Sequence, residues 1–292
     1  MQEGRVIKAY NSFYYVQAEE TMITCRLRGN LKKKQCNIAA GDFVAFNILP
    51  DQSGVIEKRL PRRNVLQRPV VANIDQVVLT FAAVQPDLHP LLLNRFLVLS
   101  EWSGIPEIVI CINKIELLPE EQQNDFLTSY EAIGYPVLRV SARENRGIDA
   151  LRQRLDSKVT VFAGPSGVGK STLLNAIDEK LMLTTGKISD KIKRGRHTTR
   201  IAQLLPFAGG FITDTPGFSS IALENIGQEA LAGFFPEFRP FLGECRYNTC
   251  THSHEPQCAV KQAAEEGTIS AERYEAYLAI LKEIKERKKE YE

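Results

Sequence analysis

The sequence has 292 residues, of which 43% are hydrophobic and 25% are charged, and its formal net charge is +2 at pH 7. This composition is that of a globular protein, which excludes a disordered or collagen-like chain, and the length predicts two or three domains. No apolar run approaches the roughly 18 residues of a membrane span, and the opening stretch MQEGRVIKAY lacks the pattern of a secretion signal. We therefore expect a cytoplasmic protein with no membrane partner.

The N-terminal segment, residues 1–68, is predicted to form a small antiparallel β-barrel. Short runs rich in β-branched and aromatic residues, such as TMITCRL, DFVAFNIL and GVIEKRL, alternate with turn signals at Gly29, Gly41 and Gly54. The segment carries 12 Lys and Arg against 6 Asp and Glu, as a nucleic-acid-binding module would. An oligonucleotide-binding (OB) barrel has this pattern. Other small barrels share it, and the basic residues would also suit a solvated face.

The central segment, residues 69–222, is predicted to form a mostly parallel sheet. The apolar runs IDQVVLTFAA, EIVICIN, PVLRVSA and KVTVFAG are typical of buried strands. The stretches HPLLLNRFLVLSEWSG and PEEQQNDFLTSYEAIG lie between them and have helical spacing. Alternation of strands and helices places the helices on the faces of an α/β sheet.

Two short motifs at predicted strand ends have the chemistry to read a guanine base. Asn113 and Lys114 follow the strand EIVICI: the amide can serve the O6/N7 edge, and the lysine stem can cover the ring. Glu116 can accept from N1–H and the exocyclic amine, although Asp is the usual residue at this position. Its extra methylene predicts looser recognition. Ser141 and Ala142 end the next strand, where a backbone N–H can support O6.

The stretch GPSGVGKS, residues 164–171, matches the phosphate-binding loop (P-loop) pattern G-x-x-x-x-G-K-[ST]. It follows the strand KVTVFA and precedes the helical KSTLLNAI, so backbone N–H groups and a helix N-terminus can surround phosphates. Lys170 is predicted to pair with phosphate oxygens during catalysis, and the Ser171 hydroxyl to ligate Mg²⁺. The residues predicted to bind nucleotide here are Gly164, Pro165, Ser166, Gly167, Val168, Gly169, Lys170, Ser171 and Thr172.

Further Mg²⁺ and γ-phosphate contacts are predicted downstream of the P-loop. The stretch DTPG follows an apolar strand, so that Asp214 can hold Mg²⁺ through water and the Gly217 N–H can meet the γ-phosphate. The intervening stretch TTGKISDKIKRGRHTTR, residues 184–200, is charged and poor in apolar residues, which predicts a mobile loop. Thr198 or Thr199 is predicted to ligate Mg²⁺ there, with a catalytic role.

The residue that orients the attacking water has to be sought outside the DTPG stretch. Many small GTPases place a glutamine directly after the DxxG glycine, whereas this chain has Phe218, whose ring cannot make the needed hydrogen bonds. Our hypothesis assigns this catalytic role to His197. The alternatives are that His197 contacts RNA or protein and that a bound partner supplies the polar group.

The C-terminal segment, residues 223–292, contains a predicted zinc site followed by a long helix. Cys245, Cys250, His252 and Cys258 lie within CRYNTCTHSHEPQC, and three thiolates with one imidazole suit a closed tetrahedral Zn²⁺ of structural type. His254 is the rival imidazole, which we expect either to face solvent or to lie behind the metal ligands without binding the ion. In the helix, an apolar stripe at three-to-four spacing predicts packing, with a partner-binding face as the alternative; it consists of Tyr274, Tyr277, Leu278, Leu281 and Ile284.

The order of these motifs resembles that of the circularly permuted GTPases, in which the base-reading motifs precede the P-loop. With the barrel and the zinc cluster, the whole chain is similar to the small-subunit biogenesis GTPases of that class. The resemblance implies an OB-type RNA-binding barrel over 1–68, a permuted P-loop G domain over 69–222 and a helical zinc-binding domain over 223–292. It also implies hydrolysis of GTP to GDP, stimulated by the small ribosomal subunit and its rRNA, with Zn²⁺ and Mg²⁺ as cofactors. We expect a monomer.

Two other functions are compatible with parts of the sequence. A P-loop ATPase or nucleotide kinase would use the same phosphate loop, but the motifs at 113–116 and 141–143 argue against it. An RNA-binding assembly scaffold with a vestigial nucleotide site would keep the barrel, but the intact Lys170, Ser171 and Asp214 argue against that alternative.

Overall fold

A computed structural model describes residues 1–29, 37–67, 70–122, 127–179, 181, 202–214 and 223–291. The N-terminal part is a closed five-stranded barrel in the order β1-β2-β3-β5-β4, so the predicted barrel is confirmed. Its neighbouring strands are antiparallel, as predicted, except β3 and β5, which run parallel. Its strands are β1 (Gln2–Tyr10), β2 (Phe13–Ala18), β3 (Thr21–Leu27), β4 (Phe43–Ile48) and β5 (Gly54–Arg59). In the sequence, β1 and β2 belong to one continuous run, RVIKAYNSFYYVQA. In the structure the chain reverses within this run at Asn11 and Ser12, both of which have left-handed backbone conformations. The barrel interior is lined by Val6, Val16, Ile23, Cys25, Ile38, Val44, Phe46 and Ile56.

A short hairpin and a buried ion pair join the barrel to the next part of the chain. The hairpin consists of β6 (Val65–Gln67) and β7 (Val70–Ala72), and the predicted boundary at residue 68 lies between its strands. Asp42 is fully buried and accepts from Arg62, with 2.7 Å between Nε and Oδ1 and 2.8 Å between Nη2 and Oδ2. Ala72 N–H donates to Ala40 O at 2.9 Å. These contacts fix the barrel to the segment and hairpin that lead into the central sheet.

The central part is a six-stranded sheet in the order β10-β9-β8-β11-β13-β12. Neighbouring strands are parallel except β12, which runs antiparallel to β13, so the predicted mostly parallel sheet is confirmed. Because parallel strands end at the same edge, the C-terminal ends of β9, β10, β11 and β13 lie along one edge of the sheet. The strands are β8 (Gln76–Ala82), β9 (Glu107–Asn113), β10 (Val137–Arg139), β11 (Val159–Ala163), β12 (Leu205–Phe207) and β13 (Gly210–Asp214).

Helices cover both faces of this sheet. On one face lie α1 (Pro90–Trp102) and α2 (Thr128–Ile133), and on the other α3 (Ile148–Leu155) and α4 (Lys170–Ile177). Within the predicted helical stretch PEEQQNDFLTSYEAIG, residues 123–126 lie outside the described residues. Glu120–Gln122 forms a 3-10 turn, and the α-helix itself has six residues before Gly134, whose φ of 103° ends it.

The C-terminal part packs on the α1 face and shares its hydrophobic core. It consists of 3-10 turns at Leu223–Asn225, Leu231–Phe234 and Pro236–Phe241, then α5 (Ala259–Glu265) and α6 (Ala271–Tyr291). Tyr277, Leu281 and Ile284 of the predicted stripe are buried in this core, so its packing role is confirmed. None of the helices in the described ranges has the length and apolarity to cross a membrane.

A fully buried arginine fastens the C-terminal part to the central one. Arg273 on α6 donates to both oxygens of Glu237, at 2.6 and 3.0 Å, and to Asn94 Oδ1 on α1. Its guanidinium carbon lies 4.6 Å from the ring centroid of Phe235 and 5.6 Å from that of Tyr130. The charge is thus paired, hydrogen-bonded and enclosed by aromatic faces, which are the conditions under which a buried charge is tolerated.

Candidate nucleotide site and metal centre

The P-loop follows β11 and requires glycine at two close approaches. Gly164 has φ 153°, and a Cβ there would lie 1.9 Å from Thr80 O on β8. Gly169 has φ 90° at the start of α4, and a Cβ there would lie 2.5 Å from Asn113 Nδ2. Side chains at these positions would push the loop away from its neighbours, so the glycines hold the loop against β8 and the end of β9.

Lys170 and the first turn of α4 supply the positive end of this loop. Lys170 Nζ donates to Gly164 O at 2.7 Å and to Pro165 O at 2.8 Å, which places the ammonium within the P-loop. Ser171 and Thr172 follow it and are exposed. A lysine ammonium, a helix N-terminus and exposed hydroxyls are the donor set that phosphate oxygens and their Mg²⁺ require, so these residues fit the predicted ligand.

Asn113 joins two loops that the sequence places far apart. Its side chain is buried; Nδ2 donates to Val168 O at 3.0 Å, and Oδ1 accepts from Ala142 N–H at 3.1 Å. The sequence assigned the amide and the Ala142 N–H to the guanine edge. In the structure these groups bond each other and the P-loop, so their direct contacts with the base stay predictions. Their structural role, which sequence reasoning missed, is to hold the P-loop and the Ser141–Ala142 loop together.

Lys114 has a second anchoring role. Its φ of 63° turns the chain out of β9, and its Nζ donates to Gly167 O at 2.8 Å and to Gln85 O. The sequence predicted that its stem covers the base. The structure adds that its ammonium ties the base-reading loop to both the P-loop and the segment after β8. No sequence pattern marks Gln85 as a partner.

Glu116 is the residue whose surroundings point most directly to a ligand. It lies in the 3-10 turn Ile115–Leu117, and its Oε2 is buried without a hydrogen-bond partner among the residues that the structure describes. A buried carboxylate oxygen without a donor is costly, and N–H groups of a bound base would remove that cost. Guanine presents two such donors on one edge, whereas adenine does not.

The loop after β10 is joined to the P-loop through Asn113. Ser141 is buried, its N–H and C=O pair with Arg146, and its Oγ accepts from Glu144 N–H at 3.0 Å. Beside it a cavity of about 630 Å³ separates Ala142 from Thr172. Of the predicted nucleotide-binding residues, Ala142 and Thr172 line this cavity, whereas Asn113, Lys114 and the P-loop are brought together by their hydrogen bonds.

The predicted Mg²⁺ residues are only partly described. Asp214 ends β13, opposite Phe162 of β11, which places it beside the P-loop. Gly217, His197, Thr198 and Thr199 lie outside the described residues. Their roles stay predictions.

The four predicted zinc ligands converge on one point. Their ligand atoms all lie within 4.8 Å of one another, with 3.8 Å between the sulfurs of Cys245 and Cys258. His252 Nδ1 lies 3.5 Å from Cys245 Sγ and 3.4 Å from Cys258 Sγ. A tetrahedral zinc ion has edges of about 3.8 Å between two sulfurs and about 3.5 Å between sulfur and nitrogen. The set, which includes Cys250, fits a structural zinc ion, and His254, with its side chain 81% exposed, faces solvent as expected.

Burial disfavours charge on the metal-free cluster. It raises the pKa of the Cys250 thiol to about 12 and that of Cys258 above its ordinary value, and it lowers the pKa of His252. A divalent cation would replace the thiol protons and stabilise the thiolates, so metal binding is expected to release protons.

The turn that carries the ligands is held from two sides. Glu255 accepts from the Thr251 N–H at 2.8 Å and hydroxyl at 2.7 Å, and from the Ser253 N–H at 3.0 Å. Burial opposes its charge, but these hydrogen bonds hold the pKa of Glu255 well below its usual range. On the other side, the hydroxyls of Tyr274 and Tyr277 on α6 donate to the carbonyls of residues 252 and 251, at 2.9 and 2.7 Å.

The fold and the site together define a class of protein. A P-loop after β11, an aspartate at the end of β13, and the predicted base-reading loops after β9 and β10, which come earlier in the chain, are the parts of a circularly permuted P-loop GTPase. Comparison with known families agrees. The model of the RsgA GTPase matches residues 59–224, and that of the RsgA N-terminal domain matches residues 3–56. The chain belongs to the RsgA GTPase family.

Similar proteins cover the full length of the chain. The small ribosomal subunit biogenesis GTPase RsgA of Bacillus velezensis is 45% identical over 100% of both chains, and that of Halalkalibacterium halodurans is 43% identical over 98% of both. Among solved structures, the circularly permuted GTPase YloQ is 38% identical with a TM-score of 0.82, covering 98% of this chain and 96% of its own. YjeQ from Thermotoga maritima is 36% identical with a TM-score of 0.82, and the match covers 97% of this chain and 98% of YjeQ.

Proposed function

We propose that this chain hydrolyses GTP to GDP and phosphate, and that it binds the small ribosomal subunit and its rRNA during late maturation. The observation that carries the GTP assignment is the buried Glu116 Oε2, which has no hydrogen-bond partner among the described residues and lies in the turn after β9, two residues from Lys114, which bonds the P-loop. Binding to the small ribosomal subunit is supported by the names of the relatives, which are small ribosomal subunit biogenesis GTPases similar to this chain over its full length.

Each part of the site has a proposed role in nucleotide binding. The P-loop N–H groups and Lys170 bind the β- and γ-phosphates, and Ser171, Asp214 and one of Thr198 and Thr199 hold the Mg²⁺ that neutralises the developing charge. Glu116 accepts from the guanine base. Because Asn113 and Lys114 bond the P-loop, the base-reading loop and the phosphate loop are positioned as one unit.

Hydrolysis itself requires a group that orients water. His197 takes this role in our proposal, within a segment that carries seven basic or potentially basic side chains and can meet rRNA phosphates. The free protein would hydrolyse GTP slowly, and subunit binding would place His197 beside the attacking water and raise the rate constant. The barrel, with its excess of Lys and Arg, supplies a further basic surface for rRNA.

Zinc has a structural role in this proposal. Cys245, Cys250, His252 and Cys258 would hold one Zn²⁺ with no open coordination position, so the ion stabilises the turn on which α6 packs. We further propose that the protein is monomeric and lies in the cytoplasm. Light scattering of the free and GTP-bound protein tests whether it is a monomer.

Turnover assays test the function against its rivals. Hydrolysis of GTP and of ATP is measured with and without purified small subunits. We expect GTP turnover that rises with subunits, and poor ATP turnover in both conditions. Equal use of ATP would favour the ATPase alternative. Subunit binding without turnover, unchanged by Lys170→Ala, would favour a scaffold with a vestigial site.

A further inference from the structure

One residue of the barrel does not contribute to the barrel core. The pairing of β1 with β2 runs through Arg5–Gln17 and Val6–Val16, then resumes at Lys8–Tyr15, so Ile7 is the extra residue of a β-bulge. Val6 points into the barrel. Ile7 is 5% exposed and belongs to the hydrophobic core of the central sheet. A bulge turns a side chain away from the regular alternation, and here it directs Ile7 from the barrel into the neighbouring domain.

The backbone of the bulge also bonds the nucleotide domain. Ile7 O accepts from Leu204 N–H at 2.9 Å, and Lys8 forms an antiparallel bridge with Gln203. Leu204 is fully buried in the same core as Ile7. It directly precedes β12, which pairs with β13, the strand that ends at Asp214. β1 is therefore attached to the edge of the nucleotide sheet.

A second side chain spans the same junction. The guanidinium carbon of Arg5, two residues before the bulge, lies 4.5 Å from the Phe43 ring centroid in the barrel. It also lies 5.4 Å from the ring centroid of Phe211, which is three residues before Asp214. The β12–β13 pair is thus joined to β1 at two points: at Leu204, which directly precedes β12, and at Phe211 in β13.

We propose that Ile7 is a positioning residue through which the barrel influences GTP hydrolysis. Nucleic acid held by the barrel fixes β1, and the bulge passes this constraint to Leu204 and the β12–β13 pair that carries Asp214. A packed core moves between discrete arrangements rather than deforming continuously, so a small displacement of β1 is transmitted along the strand pair. The inference rests on the proposed function, because it assigns a route for subunit stimulation.

A comparison of two similarly buried isoleucines distinguishes this positioning role from a role in barrel structure and subunit binding. Ile7 and Ile23 are 5% and 7% exposed, but Ile23 belongs to the barrel core alone. Ile7→Ala, Ile7→Val and Ile23→Ala are compared in single-turnover GTP hydrolysis, without subunits and with saturating subunits. The KM for subunits is measured alongside, because a loss of barrel structure would appear there.

We expect Ile7→Ala to keep the basal rate constant within about two-fold and to lower the subunit-stimulated one by at least about five-fold, the lower end of typical coupling between sites. Ile7→Val should restore most of the stimulation, and Ile23→Ala should keep the wild-type ratio of stimulated to basal rate. An unchanged ratio in Ile7→Ala, or the same loss in Ile23→Ala, would overturn the inference.

A second pair of variants serves if alanine at position 7 prevents folding. Arg5→Gln removes the contact with Phe211, whereas Arg26→Gln removes a comparable contact, 4.7 Å from the Phe13 ring, that stays within the barrel. Stimulation at saturating subunits should fall in Arg5→Gln alone; equal ratios in the two variants would overturn the inference. A wild-type protein that subunits do not stimulate would overturn the proposed function as well, whereas a stimulated wild type with unaffected variants would overturn this inference only.

Discussion

Replacing Arg273 by methionine tests what holds the C-terminal part on the nucleotide domain. Methionine keeps the unbranched stem and fills much of the space, but removes every donor. Glu237, whose side chain is 10% exposed, then loses both of its hydrogen bonds from the guanidinium, and Asn94 Oδ1 loses the Arg273 hydrogen bond. Removing one partner of a buried ion pair costs about 3–5 kcal/mol, because the other charge is left uncompensated.

The double variant separates the ion pair from the packing. In Arg273→Met with Glu237→Leu, no charge remains, and replacement of a buried pair by apolar residues is often neutral. The Asn94 carbonyl oxygen would still lack its donor, at about 1–3 kcal/mol. We therefore expect the double variant to be less destabilised than Arg273→Met alone.

Urea unfolding followed by tryptophan fluorescence measures these free energies. Trp102 is the single tryptophan, and it lies at the end of α1, packed against the core that α6 shares. Arg239→Met is the matched control, because Arg239 pairs with Glu101 but is 54% exposed, and exposed pairs contribute about 0–1 kcal/mol. If Arg273→Met costs no more than Arg239→Met, the buried pair does not hold the two parts together.

Three further predictions concern the nucleotide and zinc sites. Glu116→Asp should raise GTP affinity modestly and leave ATP binding poor, as measured by titration with fluorescent nucleotides. In the same assay, unchanged discrimination between GTP and ATP in Glu116→Ala would show that the carboxylate does not read the base. Glu255→Gln should speed zinc release to a chromogenic chelator by about ten-fold, the lower range for a group that orients metal ligands, whereas exposed Glu275→Gln should not change it. The pKa of Glu255 is depressed, so its stabilising effect is present above the ordinary carboxyl pKa and is lost as pH falls below that range. His197→Ala should lower the single-turnover rate constant on saturating subunits, and an unchanged constant would exclude it as the water-orienting residue.

Much of the fold follows from patterns that are local in the sequence. Continuous apolar runs marked the strands that became β8, β9 and β11, because a strand covered on both faces must be apolar throughout. The P-loop and the base-reading motifs follow these strands directly. Their meeting at one edge could be predicted because parallel strands end together.

Contacts between distant loops could not be predicted in this way. Asn113 and Val168 are 55 positions apart, and their hydrogen bond depends on β9 and β11 lying on either side of β8. Periodicity also gave no signal for Arg273, since an arginine beside Tyr274 in a helix has the pattern of a solvent-facing residue. The β-bulge could not be predicted either, because Val6 and Ile7 are both apolar and the sequence does not indicate that their side chains enter different hydrophobic cores.

The strand order has a consequence for how the protein is made. β8 is the first strand of the nucleotide sheet to leave the ribosome, and its second neighbour is β11 rather than the next strand in the chain. Its partner for Gln76 is Thr160, which is 84 residues later. At about 5–20 residues per second, synthesis of the chain up to Thr160 takes about 4–17 s. During this interval the edge of β8 that later pairs with β11 has no partner strand. An apolar strand with an open edge is prone to pair with other chains, so we expect the interval before β11 is made to be the most aggregation-prone stage of synthesis.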